Sequence, residues 1–325
     1  MITARCNFGF QFRGITELAA GPSVGHPRFS CRGTNMHFGA TMWFTEYSIA
    51  PSEIAIALEE RGFESLWASE HSHLPVAGDS GERPNSQADV MDPFVTLTAA
   101  AVSTKHLKVG TGICLVNQRD PIQTAKLVAS LDQLSGGRFL FGIGNGWHEE
   151  EMRNHGTALA TRHKLVRERV EAMRAIWTQE QAAYQGEFVT FGPMIANPKP
   201  VQKPHPPIIV GGAYPYAARR AARYGDGWYA LTGTKYGDEF AFIPKFQDML
   251  AETGRDRSSC PITICLYPEE LDAFAPDQVG ALARYQELGV SRCIVGLNPD
   301  KRDAILPILD RWAAFMQECN AKARC

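Results

Sequence analysis

The sequence lacks any stretch approaching eighteen consecutive apolar residues, so no helix in it is expected to span a bilayer. It lacks an excess of one charge: 33 Lys and Arg stand against 35 Asp and Glu, a formal net charge of −2. That balance carries no electrostatic footprint for nucleic acid, and without a polybasic run it offers nothing to an anionic membrane. It also lacks a CxxC pair. The eight cysteines, at 6, 31, 114, 260, 265, 293, 319 and 325, match neither a zinc site nor a small secreted framework. Cys114, Cys265 and Cys293 lie in apolar runs, where a reduced thiol serves as a small core residue; a reducing, cytoplasmic compartment is expected. Core-forming material is abundant. Apolar residues make up 44% of the 325, with 17 Phe, 9 Tyr and 6 Trp against 21% charged, which excludes general disorder. Dividing by a typical domain of about 150 residues suggests two domains, yet one α/β barrel can absorb the whole length.

Residues 1–35 stand apart. They hold Arg5, Arg13, Arg28 and Arg32 with Glu17 as their one acid, and no unbroken apolar core of a secretory signal. They are expected to lie outside the fold, with translation beginning at Met36; a basic organelle-targeting segment is the competing reading. Residues 36–325 are then a single domain.

From Met36 onward, strand and helix patterns alternate. His37–Trp43 reads as a strand, and Pro51 opens a helix whose Ile54, Ala57 and Leu58 share a face. Phe63–Ala68 is a second strand, and Asp92-Pro93 caps a helix with Phe94, Leu97 and Ala101 on its stripe. Leu107–Ile113 is strand three; Leu127, Leu131 and Leu134 mark a helix that Gly136-Gly137 ends, before Arg138–Gly144 as strand four. After an interruption, Val166, Val170, Met173 and Trp177 define a strong helix, and Gly186–Phe191 reads as an extra strand in an insertion. Four more strands follow at Pro207–Gly211, Gly227–Leu231, Pro261–Tyr267 and Ser291–Leu297, with helices at Tyr214–Tyr224, Pro276–Leu288 and Ile305–Met316. The strand runs are continuously apolar, as parallel strands covered on both faces are. Eight βα units imply a (β/α)8 TIM barrel with insertions, a doubly wound open sheet being the competitor.

In a barrel, chemistry belongs to the loops after the strands. After strand two, Glu70-His71 can act as a proton donor or acceptor with the carboxylate orienting the imidazole, or can be a surface ion pair. His71-x-His73 has metal-like spacing, but strands five to eight end in Gly, Thr, Tyr and Asn rather than in further ligands. Gly142, Gly144 and Gly146 form GxGxG, not the GxGxxG of a dinucleotide fold; they allow close approach of a planar ligand or simply make a barrel turn. Gly211-Gly212 before a helix with Pro215 in its first turn is an anion site for a cofactor phosphate, or a plain turn. The connection 72–91 is long enough for a lid over hydride transfer.

Met42-Trp43 at the end of strand one, Glu70-His71, VGTGI, SGGRFLFGIGNGWHEEE, PPIIVGG and ARYGDGW together resemble the luciferase-like monooxygenase superfamily, and within it the branch using the deazaflavin F420. The resemblance covers Met36 to the C-terminus and implies a (β/α)8 barrel with insertions. It implies that Glu70 and His71 sit beside the ring system, with His71 moving the proton while hydride passes. Asp is the commoner acid there, so Glu70 departs from the pattern. It further implies a non-proline cis peptide at Gly112–Ile113 behind the ring, a cofactor-lining loop at Gly144, Asn145 and Gly146, and a phosphate clamp at Gly211, Gly212 and Ala213. Trp147 stands where family sugar-phosphate dehydrogenases carry a Glu, which speaks against sugar-phosphate oxidation and makes Trp147 an aromatic wall or a packing residue. His148, Glu149 and Glu150 read as a solvated helix start. The implied enzyme is a homodimeric, F420-dependent oxidoreductase acting on a small organic substrate. The alternative is an FMN-dependent monooxygenase served by a flavin reductase. More remote are a metal-dependent hydrolase and a silent flavin-binding protein.

Overall fold

Continuously apolar strands must be covered on both faces, and the chain achieves this by closing a parallel sheet on itself inside a ring of helices. The computed structural model describes residues 36–76, 86–233, 235–266 and 278–322. The expected leader at 1–35 lies outside the described residues, as does the middle of the 72–91 connection. The strands are β1 (His37–Met42), β2 (Ser65–Ala68), β3 (Lys108–Thr111), β4 (Cys114–Leu115), β5 (Phe139–Gly144), β6 (Ala182–Gln185), β7 (Thr190–Met194), β8 (Ile208–Gly212), β9 (Gly227–Ala230), β10 (Ile262–Leu266) and β11 (Val290–Leu297). The helices are α1 (Pro51–Glu60), α2 (Pro93–Val102), α3 (Pro121–Leu134), α4 (Glu149–Asn154), α5 (Arg162–Thr178), α6 (Tyr216–Tyr224), α7 (Glu239–Glu252), α8 (Gln278–Glu287) and α9 (Arg302–Lys322).

Eight strands close the barrel in the order β1-β2-β3-β5-β8-β9-β10-β11 and back to β1, every pairing parallel. Its interior is filled by Trp67, Leu140, Ile209, Tyr229 and Ile294, while a larger cluster packs between strands and helices. Local sequence explains the helix ends. Asp92 Oδ1 accepts from the Phe94 and Val95 N–H groups at the start of α2, and Asp120 accepts from Gln123 N–H at the start of α3, each just before a proline. At the strand N-termini, Glu64 takes a two-pronged ion pair from Arg292 of β11, both contacts at 2.8 Å, and a third from Lys108 of β3 at 2.9 Å. These bonds link the start of β2 to β3 on one side and to β11, beyond β1, on the other, on the face that reads as stability.

Two local readings need correction. The segment read as one strand at Gly186–Phe191 is the turn and return strand of a hairpin, β6 with β7 antiparallel, because Glu168 gathers the N–H groups of Glu187, Phe188 and Val189 into a turn. Helix α7 has no counterpart in the sequence reading. Pro244 lies inside it and masks the stripe of Phe242, Phe246 and Leu250 that it buries.

Candidate active site

Strand β3 is where the sheet departs from regularity. Val109 and Gly110 pair with Phe139 and Leu140, but beyond the break Cys114 and Leu115 pair with Ile143 and Gly144, so β3–β4 carries one extra residue against β5. The Gly112–Ile113 peptide inside this bulge is cis. The loop after β2 holds the bulge: Ser69 Oγ donates to the Gly112 carbonyl at 2.9 Å, and Leu115 N–H donates to Glu70 Oε2 at 2.6 Å. Arg119 closes the arrangement with Nε on Glu70 Oε1 at 2.6 Å and Nη2 bridging to Asp92 at 2.6 Å. Burial would raise the nearby Cys114 thiol by itself, and the Glu70 carboxylate pushes it further up.

The bulge explains the glycines. A Cβ on Gly142 would stand 1.9 Å from the Thr111 carbonyl oxygen, one on Gly144 1.7 Å from Ile113 Cδ1, and one on Gly211 2.8 Å from Ile113 Cγ2. Gly142 and Gly144, both inside β5, therefore make room for the chain itself. Gly146 and Gly212 have φ of +66° and +130°, which favours glycine there whatever binds.

Ile113 and Gly112 form part of the wall of a cavity of about 310 Å³ at the strand C-termini. The other walls are Thr41 and Met42 from β1, Trp43 just after it, Ser69, Gly211 and Gly212 from β8, Tyr229 to Thr232, Tyr236, Cys265, Gly296 and Leu297. No charged side chain is among them. Thr41 Oγ1 is buried without a hydrogen-bond partner among the described residues. Such a cavity suits a planar, uncharged ring with polar atoms on its edge, and leaves the charged part of any such molecule outside it. Of the residues expected at a cofactor, Gly112, Ile113, Gly211 and Gly212 line this cavity; Glu70, Gly144, Asn145, Gly146, Trp147 and Ala213 do not. Asn145 Nδ2 and both side-chain polar atoms of Asn117 are nonetheless buried with no partner among the described residues, so the segments after β4 and β5 hold unused hydrogen-bonding capacity.

His71 is placed differently from the sequence expectation. Its Nδ1 lies 2.8 Å from Glu151 Oε2, with both side chains almost fully buried. Glu70 faces Arg119 and the Leu115 N–H, so the acid that orients the imidazole is Glu151. The second Glu151 oxygen accepts from Ser72 N–H at 2.9 Å. Burial alone would raise the Glu151 carboxyl, but the hydrogen bonds from His71 and Ser72 outweigh it and hold the group below the usual carboxylate range. The imidazole stacks on Trp43, ring centroids 5.5 Å apart, and Trp147 meets its edge at 5.9 Å. Trp147 is 66% exposed, so it is not a packing residue. His148 caps α4, and Glu149 and Glu150 are exposed on its first turn, as a solvated helix start requires. Sequence reasoning missed Glu151 because α4 has only six residues, too few for a buried stripe to show. Thr41, Tyr229 and Tyr236 were missed as well, since single positions at strand ends carry no pattern. Among the described residues no group of three or more His, Cys, Asp or Glu side chains could hold a metal ion, and no helix is long and apolar enough to cross a membrane.

Comparison with known proteins agrees with the barrel fold. Residues 51–288 match the family described as luciferase-like monooxygenase. An uncharacterized protein of Mycobacterium tuberculosis is 36% identical over 303 residues, 89% of this chain and 99% of that one. The FMNH(2)-dependent dimethylsulfone monooxygenase of Pseudomonas putida is 32% identical over 197 residues, 59% of this chain and 50% of that one. The F420-dependent hydroxymycolic acid dehydrogenase of Mycobacterium tuberculosis is 29% identical over 234 residues, 68% of this chain and 60% of that one.

Proposed function

The chain belongs to the luciferase-like monooxygenase family of oxidoreductases, and from that premise we propose that it is an F420-dependent oxidoreductase with His71 as its acid/base. The observation that carries the reading is the buried His71–Glu151 pair, stacked on a tryptophan that walls a cavity lined, among the described residues, by no charged side chain. When bound, the deazaflavin supplies two-electron chemistry as a hydride given to or taken from a small organic substrate. His71 Nε2 gives or takes the accompanying proton. Glu151 holds Nδ1–H, which fixes the tautomer and leaves Nε2 as the reactive nitrogen. Ile113, Thr41 Oγ1 and the Gly211–Gly212–Ala213 turn would hold the cofactor, Ile113 by apolar contact, Thr41 as a hydrogen-bonding group and the turn through its backbone N–H groups. Trp43, Tyr229 and Leu231 exclude water from the transfer. The protein works as a homodimer in the cytoplasm.

The identity to an FMNH(2)-dependent monooxygenase supports a second reading, in which the same walls hold reduced FMN and a separate reductase supplies it. Titration of the purified protein with F420 and FMN, each oxidised and reduced, separates the two by cofactor fluorescence. Selective tight binding of F420 is expected. Preference for reduced FMN would move the protein to the oxygen-using branch, and binding of neither would overturn both readings.

A further inference from the structure

His73 stands out in the sequence by its metal-like spacing from His71, but the fold uses it differently. At the C-terminal end of α4, His155 faces His73 across Ser72, with the two imidazole centroids 5.5 Å apart. Ser72 Oγ lies 2.6 Å from His155 Nε2 and 2.9 Å from His73 Nδ1. The same serine reaches the buried pair. Its N–H donates to Glu151 Oε1 at 2.9 Å, and its Oγ stands 3.4 Å from that oxygen. Ser72 therefore joins two histidines at the surface to the carboxylate that holds His71 Nδ1.

A serine hydroxyl has one proton to give and two lone pairs to receive with. Asn154 Nδ2 donates to His73 Nε2 at 2.9 Å, so the proton of neutral His73 sits on Nδ1 and is given to Ser72 Oγ. The Ser72 proton then goes to the nearest acceptor, His155 Nε2. That arrangement holds only while His155 is neutral. A proton on His155 Nε2 turns it from acceptor to donor, and Ser72 Oγ then receives from both imidazoles. The hydroxyl proton must turn, and the acceptor left within its reach among the described residues is Glu151 Oε1. A further donor on Glu151 shares its negative charge and weakens its hold on His71 Nδ1–H. The other titratable groups nearby do not duplicate the effect. His73 has both ring nitrogens engaged, His148 accepts from the Glu151 N–H at the far end of α4, and Glu149 and Arg153 are exposed and pair with each other at 3.5 Å.

We propose that Ser72 is a positioning residue for the His71–Glu151 pair, and that its single hydroxyl proton makes the pair answer to the charge on His155. With His155 neutral, Glu151 keeps its full hold on Nδ1–H and stabilises the imidazolium that forms when Nε2 takes a proton. With His155 charged, the Ser72 hydroxyl joins Glu151 and that stabilisation weakens. No proton travels along the chain of contacts; only the direction of the Ser72 hydroxyl changes. The consequence for catalysis rests on the reading of His71 as the acid/base: proton removal from the substrate slows as pH falls through the titration of His155, within the range where histidine changes charge.

Long-range proton–nitrogen NMR of the full chain labelled at histidine, without cofactor, tests this between about pH 5 and 8. The Nδ1 shift of His71 reads its bond to Glu151, its Nε2 shift reads its own protonation, and His155 is followed in the same spectra. In the wild type, His71 Nδ1 should step upfield at the His155 midpoint as its hydrogen bond weakens. Ser72→Ala should lose most of that step while His155 still titrates, Ser72→Thr should restore it, and His155→Gln should show none. No step in the wild type would overturn the proposal. So would a step undiminished in Ser72→Ala, which is the through-space effect of charge, or one that survives His155→Gln. Because the spectra need no cofactor, a failure here leaves the F420 and FMN titration standing. Binding of neither cofactor would leave the Ser72 switch in place and remove only its catalytic consequence.

Discussion

Glu151→Gln separates the two carboxylates that compete for the role beside His71. The substitution keeps the shape of the side chain but leaves one acceptor oxygen where the carboxylate has two. In the native site one oxygen takes His71 Nδ1–H at 2.8 Å and the other takes Ser72 N–H at 2.9 Å. With Gln, one of these two donors, the buried His71 Nδ1–H or the part-buried Ser72 N–H, faces an amide NH2, and an unsatisfied donor there costs about 1–3 kcal/mol. Ala at the same position removes one partner of a buried pair and should cost about 3–5 kcal/mol. With an unfolding entropy of about 2.1 cal/mol/K per residue over about 290 residues, each kcal/mol lowers Tm by about 1–2 °C, so the Gln variant should melt at least about 1 °C below the wild type. Nitrogen-15 NMR of labelled histidine supplies the specific readout. The wild type should show His71 as the Nδ1–H tautomer, and Glu151→Gln should lose that fixed tautomer while Glu70→Gln keeps it. If Glu151→Gln leaves both Tm and tautomer unchanged, or if Glu70→Gln is the variant that releases the ring, the pairing argued here is refuted.

Three further outcomes follow from the same contacts. Gly142→Ala forces a carbon to within 1.9 Å of the Thr111 carbonyl oxygen and should cost more than about 4 kcal/mol or abolish folding; Gly192→Ala, with nothing within 4 Å, should be silent in the same thermal-unfolding assay. The Glu64 carboxyl feels burial, which raises it, but Arg292 and Lys108 bring it down from 4.5 to about 2. Because the folded-state value is the lower one, its stabilisation of about 3 kcal/mol is complete above pH ~4.5 and lost as pH falls toward 2. Urea denaturation across that range should show this slope in the wild type and a flatter one in Glu64→Gln. Trp147→Ala, removing a largely exposed ring, should change stability by less than about 0.5 kcal/mol while weakening ring-ligand binding severalfold; unchanged affinity would remove Trp147 from the site.

Much of the fold is legible in the sequence because closure of a parallel barrel leaves a repeated signature. Apolar runs such as Phe139–Gly144 and Ile208–Gly212 have no polar face, and the capping pair Asp92-Pro93 marks where a helix begins. The hairpin β6–β7 was harder to read because its turn is organised by Glu168 from a distant helix, a contact with no local trace. The site divides in the same way. His71, Gly112, Ile113, Gly211 and Gly212 lie at strand ends, where barrel logic directs attention. Glu151 meets His71 across 80 residues of chain from a six-residue helix, and adjacency in sequence suggested Glu70 instead. Glu70 turned out to be held by Arg119 and the Leu115 N–H, because an extra residue in β3–β4 brings those donors beneath it. The glycines of GxGxG were visible, but their purpose was not, since the Ile113 side chain that fills the space above Gly144 belongs to another strand.

The central claim is that the cavity bounded by Trp43, Ile113 and Tyr229 receives a flavin-type ring next to the His71–Glu151 pair. Crystals grown with saturating F420, and in parallel with FMN, test it most directly. The account predicts ring density inside that cavity, one face against Ile113, with His71 Nε2 turned toward the ring's open face and Nδ1 still on Glu151. Ring density elsewhere on the protein, or a ring in the cavity with His71 turned away, would contradict it.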